Sequence, residues 1–222
     1  HLADRPARAS HPWLLKASRK KDTMNTSTRG MVRSSWVAIR AMALFTLLLG
    51  VIYPLVVTGV GQLVLPGQAN GSIITNESGA PVGSSLIGQS FIDQAGSPLP
   101  GYFQSRPSAA GGASSGSNCG PENEDLIAAI TERKAQVADF NGVTEAEVPA
   151  DAVTASSSGL DPHISPAYAK IQIERVAKAR GIGFGTVRHL VGQHTQEPYL
   201  GYLGESTVNV LELNIALDKL EG

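Results

Sequence analysis

AMALFTLLLGVIYPLVVTGVGQLVL, residues Ala41 to Leu65, is 25 residues long and carries no charge. As a helix it extends roughly 37 Å at ~1.5 Å per residue. The hydrocarbon core of a bilayer is about 30 Å thick, so the run is long enough to span it with some tilt. A buried helix in a soluble domain rarely goes this far without a charged residue. The stretch therefore reads as a membrane span. Pro54 removes one helical hydrogen bond and predicts a kink. Gly59 and Gly61 would allow another backbone to approach closely.

Charge divides around this run. Residues 1–40 hold nine Lys/Arg and two Asp/Glu, a net of +7; residues 41–222 hold nine and seventeen, a net of −8. Arg29, Arg33 and Arg40 precede the span, and the first charge after it is Glu77. Cationic flanks stay on the cytoplasmic side, which predicts a cytoplasmic N-terminus and an extracytoplasmic C-terminal part. Trp36 stands where an interfacial aromatic belongs. A cleaved signal peptide also has a basic start and an apolar core, but its core runs about 7–15 residues. The longer run here favours an uncleaved anchor. Residues 1–35 read as a disordered or over-extended basic N-terminus, with Met24 and Met31 as better starts. Residues 36–65 read as the span and 66–222 as one extracytoplasmic domain.

That domain has the length for a single core. Cys119 is the lone cysteine and five histidines are scattered, so neither a disulfide nor a paired metal site is expected. Short strand-like pieces occur at Ser72–Thr75, Ser84–Gly88 and Tyr102–Ser105 between turn clusters. Residues 107–120 are small and polar, the composition of a loop. Gly120-Pro121 followed by acids predicts a helix start, and Gly142 a stop. A second helix is capped by Ser165 and runs to Arg180 before Gly181. In a third, Val187, Leu190, Val191 and His194 share one face. A fourth opens with Asn209 and Glu212 in a capping-box pattern and aligns Val210, Leu213, Leu217 and Leu220. Strands first and helices afterwards predict an α+β domain behind one N-terminal transmembrane helix.

Few residues suggest chemistry. Asp161-Pro162-His163 after Ser156–Ser158 raises a hydrolase reading, but no nucleophile elbow is present, and an Asp-Pro turn leading into the Ser165 cap explains the residues equally. Arg106 is suited to bidentate binding of a carboxylate or to a surface ion pair. His194, on its apolar stripe, reads as a hydrogen-bonded core histidine, with Gln193 beside it for a polar contact. No phosphate-binding loop of the G-x-x-x-x-G-K-[ST] type occurs. The acidic domain argues against nucleic acid as a partner.

Longer blocks add what composition does not. YPLVVTGVGQLVLPGQANGS (Tyr53–Ser72), LIGQSF (Leu86–Phe91), YFQSRPSA (Tyr102–Ala109), GSNCGPEN (Gly116–Asn123), VPADAVTASSSGLDPHISP (Val148–Pro166), RVAKARG (Arg175–Gly181), LVGQHT (Leu190–Thr195) and LGESTVNVLELNIALD (Leu203–Asp218) closely resemble, in order, the C subunit of the Kdp-type potassium-transporting ATPase. Cys119, Ser115–Ser117 and Ser206-Thr207 depart from the usual pattern. The resemblance implies a non-catalytic, single-span subunit of an ATP-driven potassium uptake complex in a bacterial cell membrane. Its implied partners are a channel-like potassium-binding subunit, a P-type ATPase subunit and a small membrane subunit, besides membrane lipid. It implies a catalytic chaperone that raises the ATP affinity of the ATPase subunit, and associates the position of Gln193 with nucleotide. ATP and K+ then belong to the complex, with no cofactor assigned to this chain. Arg106, Asn118, Asp161, His163, Gln193, His194, Asn209 and Glu212 fall in the matching blocks as candidate motif or subunit-contact residues. The alternatives are a membrane-anchored extracellular hydrolase and a tethered ligand-binding domain.

Overall fold

The computed structural model describes residues 22–76, 79–108 and 113–220, with side chains from Gly30 onward. Readings that fall on residues 1–21, and on Glu77, lie outside the described residues. The chain falls into two units, His1–Pro66 and Gly67–Gly222.

The described part of the first unit is helical. Helix α1 (Asp22–Leu47) passes through a π-helical turn, Leu48–Ile52, into α2 (Tyr53–Val64). The π turn answers Pro54, whose ring would clash with the carbonyl four residues earlier and which has no N–H to give it. Widening the turn moves the bonding pattern: the Tyr53 N–H donates to the Leu48 carbonyl, five residues back. The ladder is thus re-routed and the helix continues. Among the described residues, Gly30–Val64 is the one stretch long and apolar enough to cross a membrane, and none of its most apolar window is buried by protein. At its start the Arg40 guanidinium lies over the Trp36 ring, 5.1 Å from the centroid. Leu65 ends the helix, as a residue before proline is driven out of the α region. A single helical turn, α3 (Pro66–Ala69), follows.

The second unit is a mixed α+β domain. Strands β1 (Ile73–Thr75) and β2 (Pro81–Ser84) form an antiparallel hairpin with Ile73 opposite Ser84. Asn76 closes its loop, since its side chain accepts from Ala80 N–H at 2.9 Å. Strand β2 lies earlier than the expected Ser84–Gly88, because Ile87 N–H turns back onto Ser84. Helix α4 (Glu124–Asn141) starts three residues after Pro121, since the Asn123 side chain supplies the cap by accepting from Leu126 N–H. It ends at Gly142 in the left-handed region, as expected. Strand β3 (His163–Ile164) leads into α5 (Pro166–Arg180), capped by Ser165 and stopped by Gly181. Helix α6 (Phe184–Gln193) leads into β4 (Thr195–Gln196), and β5 (Thr207–Asn209) into α7 (Val210–Asp218). The second sheet has the order β3-β5-β4, all antiparallel, with His163 opposite Asn209 and Thr195 opposite Val208.

The core sits between this sheet and α5, α6 and α7. Phe103, Val176, Val187, Val208, Leu213 and Leu217 are fully enclosed. Leu220 lies past the end of α7 and is 47 % exposed, so it does not join the stripe of Val210, Leu213 and Leu217.

Candidate functional site

The expected strand at Tyr102–Ser105 forms no ladder. Its backbone polar groups are taken up by side-chain amides, which carry the same donor and acceptor as a peptide unit. Phe103 N–H donates to Asn214 Oδ1 at 2.9 Å, and Asn214 Nδ2 donates to Phe103 O at 3.0 Å. Gln104 N–H donates to Gln172 Oε1 at 2.7 Å, and Gln172 Nε2 returns to Gln104 O at 3.2 Å. Both amides are buried.

Arg175 braces the same segment. It donates to the carbonyls of Pro100 and Tyr102, to Asn141 Oδ1 and to Gln172 Oε1, and lies 4.3 Å from the Phe140 ring centroid. Its described acceptors are all neutral, and burial lowers its pKa to about 10. Arg180 adds bonds to Gly101 O and Asp218 and stacks on Tyr102. Burial likewise pushes the Tyr168 phenol up to about 12.

The segment so held delivers Arg106 to Asp161. Arg106 Nη1 lies 3.3 Å from Asp161 Oδ2, while Nε and Nη2 each donate to Thr154 O at 3.4 Å. The other carboxylate oxygen accepts from His163 N–H at 3.0 Å and faces His163 Nδ1 at 3.3 Å. The three side chains are between a quarter and a third exposed. The backbone beneath is close-packed: a Cβ on Gly88 would meet Asp161 O at 2.6 Å, and Gly88 N–H donates to Leu160 O. Asn209, opposite His163 in the sheet, caps α7 through Glu212 N–H at 3.2 Å and donates to Ser85 O at 2.8 Å. Arg106, Asp161, His163 and Asn209 are thus brought to one end of the sheet.

The remaining candidates lie elsewhere. Asn118 is exposed with φ at 54°, in a segment whose Ser115 N–H bonds to Ser158 O. Glu212 is half-buried on α7. Gln193 is exposed at the end of α6, in a shallow groove with Gly185, Arg188, His189 and Gly192. His194 corrects its sequence reading: it is the residue after α6, half-buried, with Nδ1 2.9 Å from Leu190 O, and so closes the helix end instead of entering the core.

Chemically, Asp161 and His163 make an acid–imidazole pair, but among the described residues no hydroxyl or thiol bonds to the imidazole. Ser156 Oγ is turned to Asp161 N–H at 3.4 Å, and Ser165 Oγ is committed to Asp151 and Tyr168 N–H. No described group of His, Cys, Asp or Glu could hold a metal ion. The cluster can offer a carboxylate, a guanidinium and an imidazole edge to a partner surface.

Gln172, Arg175 and Asn214, which fix the geometry, escaped the sequence reading. Their signal was available: Gln172 sits between Ala169 and Ile173 on the buried stripe of α5, and Asn214 interrupts the apolar run of α7.

Residues 35–219 match the family model described as KdpC, K+-transporting ATPase, c chain. The chain is 51 % identical over 186 residues to the potassium-transporting ATPase KdpC subunit of Beijerinckia indica, covering 82 % of this chain and 91 % of that one. It is 52 % identical over 190 residues to the subunit of the same name from Polaromonas naphthalenivorans, covering 82 % and 93 %. Against that of Kineococcus radiotolerans it is 47 % identical over 199 residues, covering 87 % and 97 %.

Proposed function

We propose, from the premise that this chain belongs to the family of K+-transporting ATPase c chains, that it is an accessory subunit of an ATP-driven potassium uptake complex and performs no catalysis itself. One observation supports the reading: Arg106, Asp161 and His163 bind one another and the backbone and remain partly exposed. Such a cluster suits recognition. Its partners are the subunits the family resemblance implies: the channel-like potassium-binding subunit, the P-type ATPase subunit and the small membrane subunit.

Arg29, Arg33 and Arg40 precede the span closely and no Lys or Arg follows it before Arg106, which supports a cytoplasmic N-terminus and an extracytoplasmic domain. In that orientation Gln193 lies across the bilayer from cytoplasmic ATP. A rise in ATP affinity then comes about indirectly, by favouring one conformation of the partner subunits. The acidic domain also draws cations toward the complex electrostatically.

Purification of the full chain in mild detergent tests the assignment. Recovery of a P-type ATPase partner, with no turnover by this chain alone, is the expected result. Hydrolysis by the isolated chain that His163→Ala abolishes would overturn it. Protease added to intact cells should remove the domain after residue 66, and a protected domain would reverse the orientation.

A further inference from the structure

We propose that Arg33 and Arg40, set around Trp36, form a binding stripe for the phosphate of an anionic phospholipid in the leaflet where the apolar helix begins. The proposal rests on reading Gly30–Val64 as a membrane span. Residues 33, 36 and 40 are spaced i, i+3, i+7 on α1 and so share one face of the helix. All three are exposed.

Neither arginine takes part in a described ion pair. The sequence offers none nearby, since no Asp or Glu occurs between residues 23 and 76. Two uncompensated guanidinium groups therefore meet the membrane surface together. The Trp36 ring holds Arg40 by its face at 5.1 Å, and a guanidinium stacked this way keeps its in-plane N–H donors for a planar or tetrahedral oxyanion.

Depth agrees with this occupant. Arg40 is the last charge before the uncharged run, at the hydrocarbon boundary. Arg33 is seven residues earlier, roughly 10 Å farther out at ~1.5 Å per residue. The headgroup layer is about 5–7 Å thick on each side, so the two cations bracket the plane of lipid phosphates. Cationic groups placed there enrich anionic lipid several-fold each, roughly fivefold per residue. A zwitterionic headgroup brings its own ammonium and gains far less.

The test uses the full chain in nanodiscs. Trp13→Phe leaves Trp36 as the single tryptophan. Its fluorescence is read in phosphatidylcholine discs doped with equal low fractions of brominated phosphatidylglycerol or identically brominated phosphatidylcholine. The expected result is quenching from phosphatidylglycerol that matches an enrichment of roughly fivefold or more. Arg33→Gln with Arg40→Gln should abolish the preference while both lipids still quench. Equal quenching by the two lipids with both arginines present overturns the proposal, as does a preference that survives in the double variant. Absence of quenching by either lipid overturns the proposal together with the span reading, and is thereby told apart from a failure of lipid selectivity alone.

Discussion

Asn214 and Phe103, 111 positions apart, share a two-bond contact in which the buried side-chain amide of one binds both backbone polar groups of the other. Four atoms are satisfied at once. Asn214→Leu keeps the volume but strands one buried N–H and one buried C=O. Each loss costs about 1–3 kcal/mol, so about 2–6 kcal/mol in total is expected. Urea titration of the full chain in detergent would measure it, and a loss below about 1 kcal/mol contradicts the role assigned to this amide.

Gly88→Ala tests the close backbone contact under the polar cluster. The new Cβ would meet the Asp161 carbonyl oxygen at 2.6 Å, and neither partner is a flexible side chain. Overpacking of this kind costs about 1–3 kcal/mol. A lowered thermal midpoint is expected, and an unchanged one would show that the loop can move aside.

Asp161→Asn separates recognition from stability. The ion pair with Arg106 is about a third exposed, so its loss should change stability by less than about 1 kcal/mol. Recovery of the ATPase partner should fall much more steeply if the cluster meets that partner. Equal recovery at equal stability would remove the cluster from the interface.

Alkaline pH gives a signed prediction for Tyr168. Its folded pKa is raised from 10.0 to about 12, so its contribution is fully present below pH 10 and is lost as pH climbs through 12. Arg175 acts in the opposite sense: burial lowers it from 12.5 to about 10, and stability from this group rises over pH 10–12.5. The difference between the unsubstituted chain and Tyr168→Phe reports the phenol together with its coupling to Arg175. That difference should shrink by up to about 3 kcal/mol between pH 10 and 12. A constant difference across this range would mean the phenol is better solvated than its position implies.

Leu48→Arg puts a charge into the middle of the apolar helix. Insertion scales set the cost at about 2.5–3.5 kcal/mol. Membrane fractionation should show reduced retention, and full retention would place the lipid-spanning segment elsewhere.

Helix ends governed by local chemistry were legible in the sequence: Ser165 and Asn209 cap, and Gly142 and Gly181 stop, where their residue types require. The span was legible because length and absence of charge decide it. What failed depended on distant partners. Tyr102–Ser105 has strand-like residues, yet its hydrogen bonds go to Gln172 and Asn214, and no local pattern reveals that. His194 fits the spacing of the α6 stripe, but the helix ends one residue before it. The Arg106–Asp161–His163 grouping needed the fold, since 55 residues separate its arginine from its carboxylate. Asp161 and His163 stand together in the sequence, and only the closed chain shows that Arg106 belongs with them.

The widened turn at Leu48–Ile52 acts as a one-residue insertion in the helical phase. A residue subtends about 100° on an α-helix. A helical wheel drawn unbroken from Arg33 to Val64 is therefore rotated by about that angle past the turn. The side that carries Trp36 is thereby turned relative to the side that carries Gly59, and one rod can address two neighbours from two azimuths.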